Sequence, residues 1–471
     1  MADQTLPRPK VGVLALTLEL YETLVPDLRR QRENWLREQV LPSLANIADV
    51  VFDRAVFARD DIEAQVASLE SHGADALVVI MLTYSPSQLA LPALSRTHLP
   101  ICVWNTQELF AVDSKFTSAA MIDNHGVHGT QDLCNVLSRS GVKFEYFTSH
   151  LCDDDALGPL ADFFAAAAAA RKLRSMRVGL LGYPFPGMGD FAVDTTQMTA
   201  SLGCQSVHLT VAEYNRLAAD AAEDAAAELV AAYRDSYNVA GDITDQDLDL
   251  TARSELALRA MVKDYRLDAL SYQFLAFGDD ENTETVPFVA MSRLMADGVG
   301  FGGEGDIIAA AGTAFLAALN PPAGFSEMFT IDYAGNGVFM SHMGEANVAM
   351  ARTDRKIRLV GRAFPITPTR GRQLELVTCF QPGPATLCSL TLGAGCRWRL
   401  IASRMTVPDW GPLEQFDVPH FKLTYDAGNI RDFLTDYAKA GGPHHNAVCF
   451  GDARDRLKLA ARLLGADYVE V

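Results

Sequence analysis

The stretch that decides the fold, residues 75–106, reads DALVVIMLTYSPSQLALPALSRTHLPICVWNT. It contains two short runs, VVIML and ICVW, that are apolar along their whole length. A strand that is apolar on both faces is typical of a parallel sheet covered by helices on each side. The stretch therefore indicates an α/β fold in which strand-like and helix-like segments alternate.

The same alternation continues in both directions along the chain. KVGVLAL (10–16) and residues 49–57 read as strands, and residues 19–47 between them have helical spacing. A second α/β unit restarts at RVGLLGY (177–183), within which residues 201–237 predict a strand and one long acidic helix.

The pattern of apolar and turn-forming residues changes after about residue 320. Short apolar runs separated by Gly, Pro and Asn predict antiparallel strands in a sandwich or barrel. The predicted class is α/β, with two doubly wound parallel-sheet domains followed by a C-terminal antiparallel, barrel-like domain. The predicted domains are an N-terminal α/β domain (1–172), a central α/β domain (173–320) and a β-rich domain (321–471).

Composition and charge restrict the kinds of partner. The 471 residues carry 40 Lys+Arg and 59 Asp+Glu, a net charge of −19, which argues against nucleic-acid or anionic-membrane partners. The start of the chain shows no signal-peptide pattern, and no apolar run is long enough to span a membrane. Eight cysteines without a CxxC pair favour reduced, mostly buried thiols and no cysteine zinc site, so a cytoplasmic location is expected.

GFGGEGD (300–306) places two acids, Glu304 and Asp306, among glycines and directly before the apolar segment IIAAAGTAFLAAL. Such a stretch could hold a metal or a phosphate, or could be an ordinary turn. It lacks the phosphate-loop and dinucleotide patterns, as does LGYPFPGMGDF (181–191), which is better explained as a substrate loop at the end of a strand. Asp306 is interpreted as an N-terminal helix residue favoured by the helix dipole.

Further metal-ligating residue types follow in the β-rich part. Glu327 stands in GFSEMFTIDY, and His342 follows a predicted hairpin whose turn is residues 335–337. A tandem pair, His444 and His445, follows Gly-Gly-Pro. Two carboxylates and two imidazoles suit a divalent transition metal such as Mn²⁺, Co²⁺ or Fe²⁺. Each histidine taken alone is better explained as a capping or core-edge residue than as a ligand, and spacing cannot show that the four residues converge, so both interpretations stay open.

These motifs also resemble a known family. GFGGEGD, SEMF, GNGVFMSHMGE and GGPHHN are similar to the pattern of bacterial L-arabinose isomerases, within the L-fucose/L-arabinose isomerase superfamily. The resemblance implies an aldose–ketose isomerase that acts on a pentose, hexose or modified sugar through a cis-enediol intermediate. It implies Mn²⁺, with Co²⁺, Fe²⁺ or Mg²⁺ as alternatives, held by Glu304, Glu327, His342 and His445. Glu304 and Glu327 would also be the catalytic acid/base pair.

The resemblance extends to the N-terminal part, where LELYETL (18–24) and DNHGVHG (123–129) match the family pattern. It implies a homohexamer with sites at subunit interfaces, His128 being contributed to a neighbouring subunit. The implied substrate-binding residues are Glu19, Tyr21, His125, His128 and His444.

Departures from the family pattern fall at positions that contact sugar. Ile307 replaces a tryptophan, while His125 and Glu19 each replace a glutamine. The metal set is intact, so the reaction type is better supported than the identity of the sugar.

Three other functions compete with isomerisation. The same metal site could catalyse epimerisation, and two α/β lobes also describe non-catalytic sugar-binding proteins. A nucleotide-dependent kinase is disfavoured because the sequence lacks a P-loop.

Overall fold

The computed structural model describes residues 8–471, which divide into two compact units, residues 8–171 and residues 172–471. The division falls within helix α8 (Gly158–Ser175). Residues 1–7, on which part of the signal-peptide prediction rests, lie outside the described residues. Within residues 8–471, no helix has the length and apolarity needed to cross a bilayer.

The first unit is built on one parallel sheet, ordered β2-β1-β3-β4-β5. Its central strand β3 is buried along its whole length, as its apolar sequence predicts. The strands are β1 (Lys10–Leu16), β2 (Asp49–Val51), β3 (Ala76–Met81), β4 (Ile101–Asn105) and β5 (Glu145–Thr148). The helices are α1 (Leu20–Leu24), α2 (Leu28–Trp35), α3 (Leu41–Leu44), α4 (Arg59–Ser71), α5 (Ser87–Arg96), α6 (Ser118–Asp123), α7 (Val127–Arg139) and α8, with a π-helical turn (Leu36–Val40) before α3.

Two predictions for this unit need correction. The helical segment 19–47 is broken between α1 and α2, where Pro26 cannot donate a backbone hydrogen bond. The strand predicted over 49–57 forms only β2, because the chain leaves the sheet at the exposed pair Asp53 and Arg54. Val56 returns to the sheet as a single bridge to β1.

The second unit contains the remaining strands and helices. The strands are β6 (Arg177–Leu181), β7 (Gln205–Leu209), β8 (Asn238–Val239), β9 (Ala269–Tyr272), β10 (Gly300–Gly302), β11 (Ala323–Asp332), β12 (Gly337–Ser341), β13 (Arg358–Gly361), β14 (Leu374–Val377), β15 (Gly383–Leu392), β16 (Trp398–Val407), β17 (His420–Thr424), β18 (His445–Phe450) and β19 (Asp467–Glu470). The helices are α9 (Thr195–Leu202), α10 (Val211–Ala219), α11 (Glu223–Ser236), α12 (Asp245–Asp264), α13 (Phe274–Gly278), α14 (Phe288–Ala296), α15 (Ile307–Leu319), α16 (Ile430–Lys439) and α17 (Arg454–Leu464), with 3₁₀ turns at Val348–Met350 and Ala394–Cys396.

A second parallel sheet, ordered β10-β9-β6-β7, forms the centre of this unit. Its core combines aliphatic side chains with large buried aromatic ones, among them Tyr214, Phe277 and Phe301. The single acidic helix predicted within 201–237 is in fact two helices, α10 and α11. The break carries no Gly or Pro signal, and α11 begins with Glu223 and Asp224 in its first turn, where the helix dipole favours acids.

The C-terminal strands close into a ring ordered β15-β18-β11-β12-β17-β16, in which β15 pairs again with β16. All pairings within the ring are antiparallel, and β19 joins β16 in parallel. Strands β13 and β14 form as the sequence predicts, but they lie in a separate small sheet in which β13 pairs with both β14 and β8. The predicted fold class is confirmed, while the domain boundaries at 172/173 and 320/321 stay predictions.

Candidate metal centre

Glu304 stands in a tight turn at the carboxyl end of β10. Its backbone adopts φ 60°, a left-handed conformation that is uncommon for a residue with a side chain. The turn is held in place because Glu304 O accepts a hydrogen bond from Phe185 N at 2.9 Å, and Gly305 N donates to Tyr272 O at 3.2 Å. Backbone strain of this kind persists only where the surroundings enforce it, which is common at functional sites.

The register of the barrel strands brings the other candidate ligands together. Glu327 on β11 is the direct partner of His445 on β18 and of Ser341 on β12. Directly opposed residues in an antiparallel pair project from the same face of the sheet. Because β12 ends at Ser341, His342 is the first residue beyond that strand.

The four predicted ligands belong to two overlapping groups in the second unit, which share His445. One ligand atom each from Glu327, His342 and His445 lie within 4.8 Å of one another, and so do atoms from Glu304, His444 and His445. His445 Nε2 lies 3.7 Å from Glu304 Oε2. His444, predicted to bind substrate, lies in the same cluster with its Nε2 3.8 Å from that oxygen.

Each of the three imidazoles has a carboxylate at its Nδ1 atom, which leaves Nε2 for the cluster. The pairs are His342 with Glu345 Oε2 at 2.6 Å, His444 with Asp190 Oδ2 at 2.5 Å, and His445 with Asp306 Oδ2 at 2.9 Å.

The surroundings of the His445 Nε2 atom indicate whether these residues could bind a metal ion. This atom is buried, and within residues 8–471 it has no hydrogen-bond partner. A buried polar atom without a partner requires an explanation, and an imidazole nitrogen facing carboxylates is the donor environment of Mn²⁺, Fe²⁺ or Co²⁺. The residues present therefore fit a divalent transition metal.

The carboxylates and imidazoles of the cluster shift one another's pKa values. Burial opposes ionisation of Glu304, but the neighbouring imidazoles, His444 first among them, lower its pKa below the usual value. Burial would also lower the pKa of His342, yet Glu345 raises it. The Glu304 carboxylate, with Asp190, raises the pKa of His444 to about 9. Glu304 therefore stays ionised in a partly buried setting, where a carboxylate attracts a cation.

The sequence analysis missed several residues at this site. The segment LGYPFPGMGDF supplies Asp190, and it supplies Phe191, whose ring stacks on His445 with centroids 5.6 Å apart. Nothing in the local sequence signals the pairing of Asp190 with His444, because 254 positions separate them. Glu345 was detectable in principle, since it follows His342 by three residues in SHMGE.

The remaining predicted substrate-binding residues lie in the first unit, beyond β1 and β3. Tyr21 Oη and His125 Nε2 are 2.7 Å apart, and the rings of His125 and His128 are 5.1 Å apart. His128 also stacks on Tyr84 at 4.8 Å. Glu19, just before α1, is exposed. The roles of these residues in substrate binding stay predictions.

Comparison with known proteins gives matches over most of the chain. The family models of the L-arabinose isomerase central domain and C-terminal domain match residues 177–320 and 322–467. The L-arabinose isomerase of Acidothermus cellulolyticus is 26% identical over 421 residues, covering 85% of this chain and 81% of that protein. That of Nocardioides sp. is 27% identical, covering 86% and 82%. That of Geobacillus kaustophilus is 25% identical, covering 93% and 88%.

The similarity to solved structures is too low to add evidence to these matches. A periplasmic solute-binding protein from Actinobacillus succinogenes 130z with bound D-allose covers 57% of this chain and 80% of its own, at 15% identity and a TM-score of 0.15. The two isomerase family models, in contrast, together span more than half of the chain. The chain therefore belongs to the L-arabinose isomerase-like family of sugar isomerases.

Proposed function

We propose that this protein is a metal-dependent aldose–ketose isomerase that converts a pentose, hexose or modified sugar through a cis-enediol intermediate. The observation that carries the proposal is His445, whose buried Nε2 atom has no hydrogen-bond partner among residues 8–471. One group of possible metal ligands joins it to Glu327 and His342, and a second group joins it to Glu304. These four residues are the proposed ligands of Mn²⁺, with Co²⁺, Fe²⁺ or Mg²⁺ as alternatives.

The reaction requires one proton to move between C1 and C2 and another between O1 and O2. The bound cation supplies Lewis acidity, which acidifies a sugar hydroxyl and stabilises negative charge on the sugar oxygens. Glu304 and Glu327 approach the cluster from different elements, the turn after β10 and the strand β11. A carboxylate on the edge of the sugar is suited to carry the carbon proton, so we assign the acid/base work to this pair.

His444 is proposed to bind a sugar hydroxyl. Its Nδ1 atom faces Asp190 Oδ2 at 2.5 Å and its backbone N–H donates to the same oxygen at 3.2 Å, so the imidazole is held in one orientation. The side chain is only partly buried, so a substrate can reach the imidazole from solvent.

The substrate contacts proposed for the first unit are Glu19, Tyr21, His125 and His128. Their support is the grouping of Tyr21 with His125 and of His125 with His128 after parallel strands, a common position for ligand sites. By analogy with the family, we propose a cytoplasmic homohexamer in which His128 serves a neighbouring subunit. The eight free cysteines are consistent with a reducing compartment.

The experiment that tests the function is a panel of aldoses and ketoses, assayed with chelator-stripped enzyme before and after addition of Mn²⁺. Ketose formation that depends on Mn²⁺ and disappears in Glu304→Gln supports the proposal. The exposed Glu281→Gln is the matched control and should retain activity. Isomerisation at the same rate without any divalent metal would overturn the metal-dependent mechanism.

The same panel separates the competing functions. Products analysed by NMR distinguish a ketose from an epimer of the starting aldose. A protein that binds sugar without metal and yields no product would instead be a sugar-binding protein.

A further inference from the structure

Two of the proposed ligand imidazoles are held from behind by buried carboxylates that the proposed reaction does not use. Glu345 and Asp306 are each almost completely inaccessible to solvent, and each faces the Nδ1 atom of a histidine. An ionised carboxylate only accepts hydrogen bonds, so each requires a proton on Nδ1 and leaves Nε2 as the donor atom for the cluster.

Both carboxylate oxygens of Glu345 take part in hydrogen bonds. Oε2 faces His342 Nδ1 at 2.6 Å, and Oε1 accepts a hydrogen bond from the hydroxyl of Tyr272. Tyr272 is itself fully buried at the end of β9, and its backbone carbonyl accepts from Gly305 N. A carboxylate bound through both oxygens cannot rotate, so it fixes the plane of the imidazole that it contacts.

Asp306 has a corresponding double role at the second histidine. Its Oδ1 caps helix α15 by accepting from Ala309 N at 2.8 Å, and its Oδ2 faces His445 Nδ1 at 2.9 Å. The helix cap therefore anchors the carboxylate, and the carboxylate orients His445. The sequence-based interpretation of Asp306 as a helix N-terminal residue is correct but describes only one of its two oxygens.

We propose that Glu345, supported by Tyr272, and Asp306 are positioning residues that set the metal affinity of the site by fixing His342 and His445 in the Nε2-ligating orientation. The inference rests on the proposed metal-dependent function. It assigns these residues no contact with the sugar and no proton transfer.

The test measures the dissociation constant of Mn²⁺ for chelator-stripped, full-length protein by titration calorimetry and by EPR of free Mn²⁺. The variants are Glu345→Gln, Asp306→Asn and Tyr272→Phe. Asparagine keeps the N-cap of α15, because Asn and Asp cap helices about equally well. The control is Tyr233→Phe, which removes a similar hydrogen bond from a buried tyrosine to a buried glutamate, that of Tyr233 to Glu255 at 2.7 Å.

Glu345→Gln and Asp306→Asn are expected to weaken Mn²⁺ binding by about 10–100-fold, the usual effect of changing the outer partner of a metal-ligating histidine. Tyr272→Phe should weaken it by a smaller factor, and Tyr233→Phe should leave it unchanged. Thermal unfolding of the metal-free proteins reports on folding separately. A purely structural role would lower the unfolding temperature without changing the dissociation constant of the folded protein.

The outcomes distinguish a failure of the positioning role from a failure of the proposed metal-dependent function. If the wild type binds Mn²⁺ and the variants bind it equally well, the positioning role is overturned and the metal site stands. If the wild type binds none of the divalent metals named above, the proposed function falls and this inference falls with it. Should Glu345→Gln not fold, Tyr272→Phe decides the question, because it removes only a hydroxyl group from the same chain of contacts.

Discussion

Glu327 and His445 are direct partners across the antiparallel strands β11 and β18, which places a carboxylate and an imidazole side by side on one face of the barrel wall. The turn after β10 brings Glu304 to the same place, with its Oε2 3.7 Å from His445 Nε2. The site therefore joins the end of a parallel sheet to the wall of an antiparallel barrel. Its geometry depends on strand register, because a slip of one residue would turn Glu327 to the opposite face.

Gly303 is the position at which a small change should disable the site. A methyl group at its Cβ position would lie 2.6 Å from His342 Nε2, so the imidazole would have to move from its present position. Gly303→Ala is expected to weaken Mn²⁺ binding about tenfold or more, which corresponds to at least about 1.4 kcal/mol. Calorimetric titration of the chelator-stripped variant measures this.

The control for that variant is Gly241→Ala, because nothing lies within 4 Å of the Cβ position of Gly241. It should bind Mn²⁺ as the wild type does. Wild-type affinity in Gly303→Ala would mean that His342 Nε2 does not face the metal.

Metal should also stabilise the folded chain. A ligand that binds only the folded state adds about 2.7 kcal/mol to the free energy of unfolding at about 100 times its dissociation constant. We expect urea unfolding of the stripped protein to shift to higher denaturant when Mn²⁺ is added, and Glu327→Gln to reduce the shift. An equal shift in Glu327→Gln would remove Glu327 from the ligand set.

The sequence predicted the layers of the fold better than the details of the site. Apolar runs such as β3 identify buried strands because burial on both faces leaves a local pattern, and the four candidate ligands stand in recognisable motifs. The pairing of His444 with Asp190 depends on a tertiary contact between segments 254 residues apart, so no local sequence pattern predicts it. The break between α10 and α11 was missed for another reason: an alanine-rich segment has high helix propensity throughout.

The cysteines provide a prediction about chemical reactivity and pH. All eight are free, five are buried, and Cys152 and Cys396 are exposed. Burial raises the pKa of Cys134 to about 11, and that of Cys379 likewise to about 11, so both thiols remain protonated and unreactive near neutral pH. Because the thiolate is the nucleophile, alkylation at about pH 8 should modify Cys152 and Cys396 first.

Mass spectrometry of peptides after brief iodoacetamide treatment measures the order of labelling. The double variant Cys152→Ser/Cys396→Ser should lose the fast phase, and urea should expose the remaining thiols. Fast labelling of Cys134 or Cys379 in the folded protein would contradict the raised pKa values given for them.

A final prediction concerns stability away from the metal site. Glu255 is fully buried, and it accepts hydrogen bonds from Arg259 Nε at 2.7 Å, Arg293 Nε at 2.9 Å and Tyr233 Oη at 2.7 Å. Removing one partner of a fully buried ion pair usually destabilises a protein by about 3–5 kcal/mol, and the partial exposure of Arg259 and Arg293 reduces that cost here. Glu255→Ala should therefore unfold at clearly lower urea concentration, while the exposed Glu281→Ala should differ from wild type by less than about 0.5 kcal/mol.

The folded fraction of Glu255→Ala should still bind Mn²⁺ with wild-type affinity, since Glu255 contacts none of the proposed ligands. A small loss of stability would show instead that solvent reaches the two arginines and compensates for the missing carboxylate.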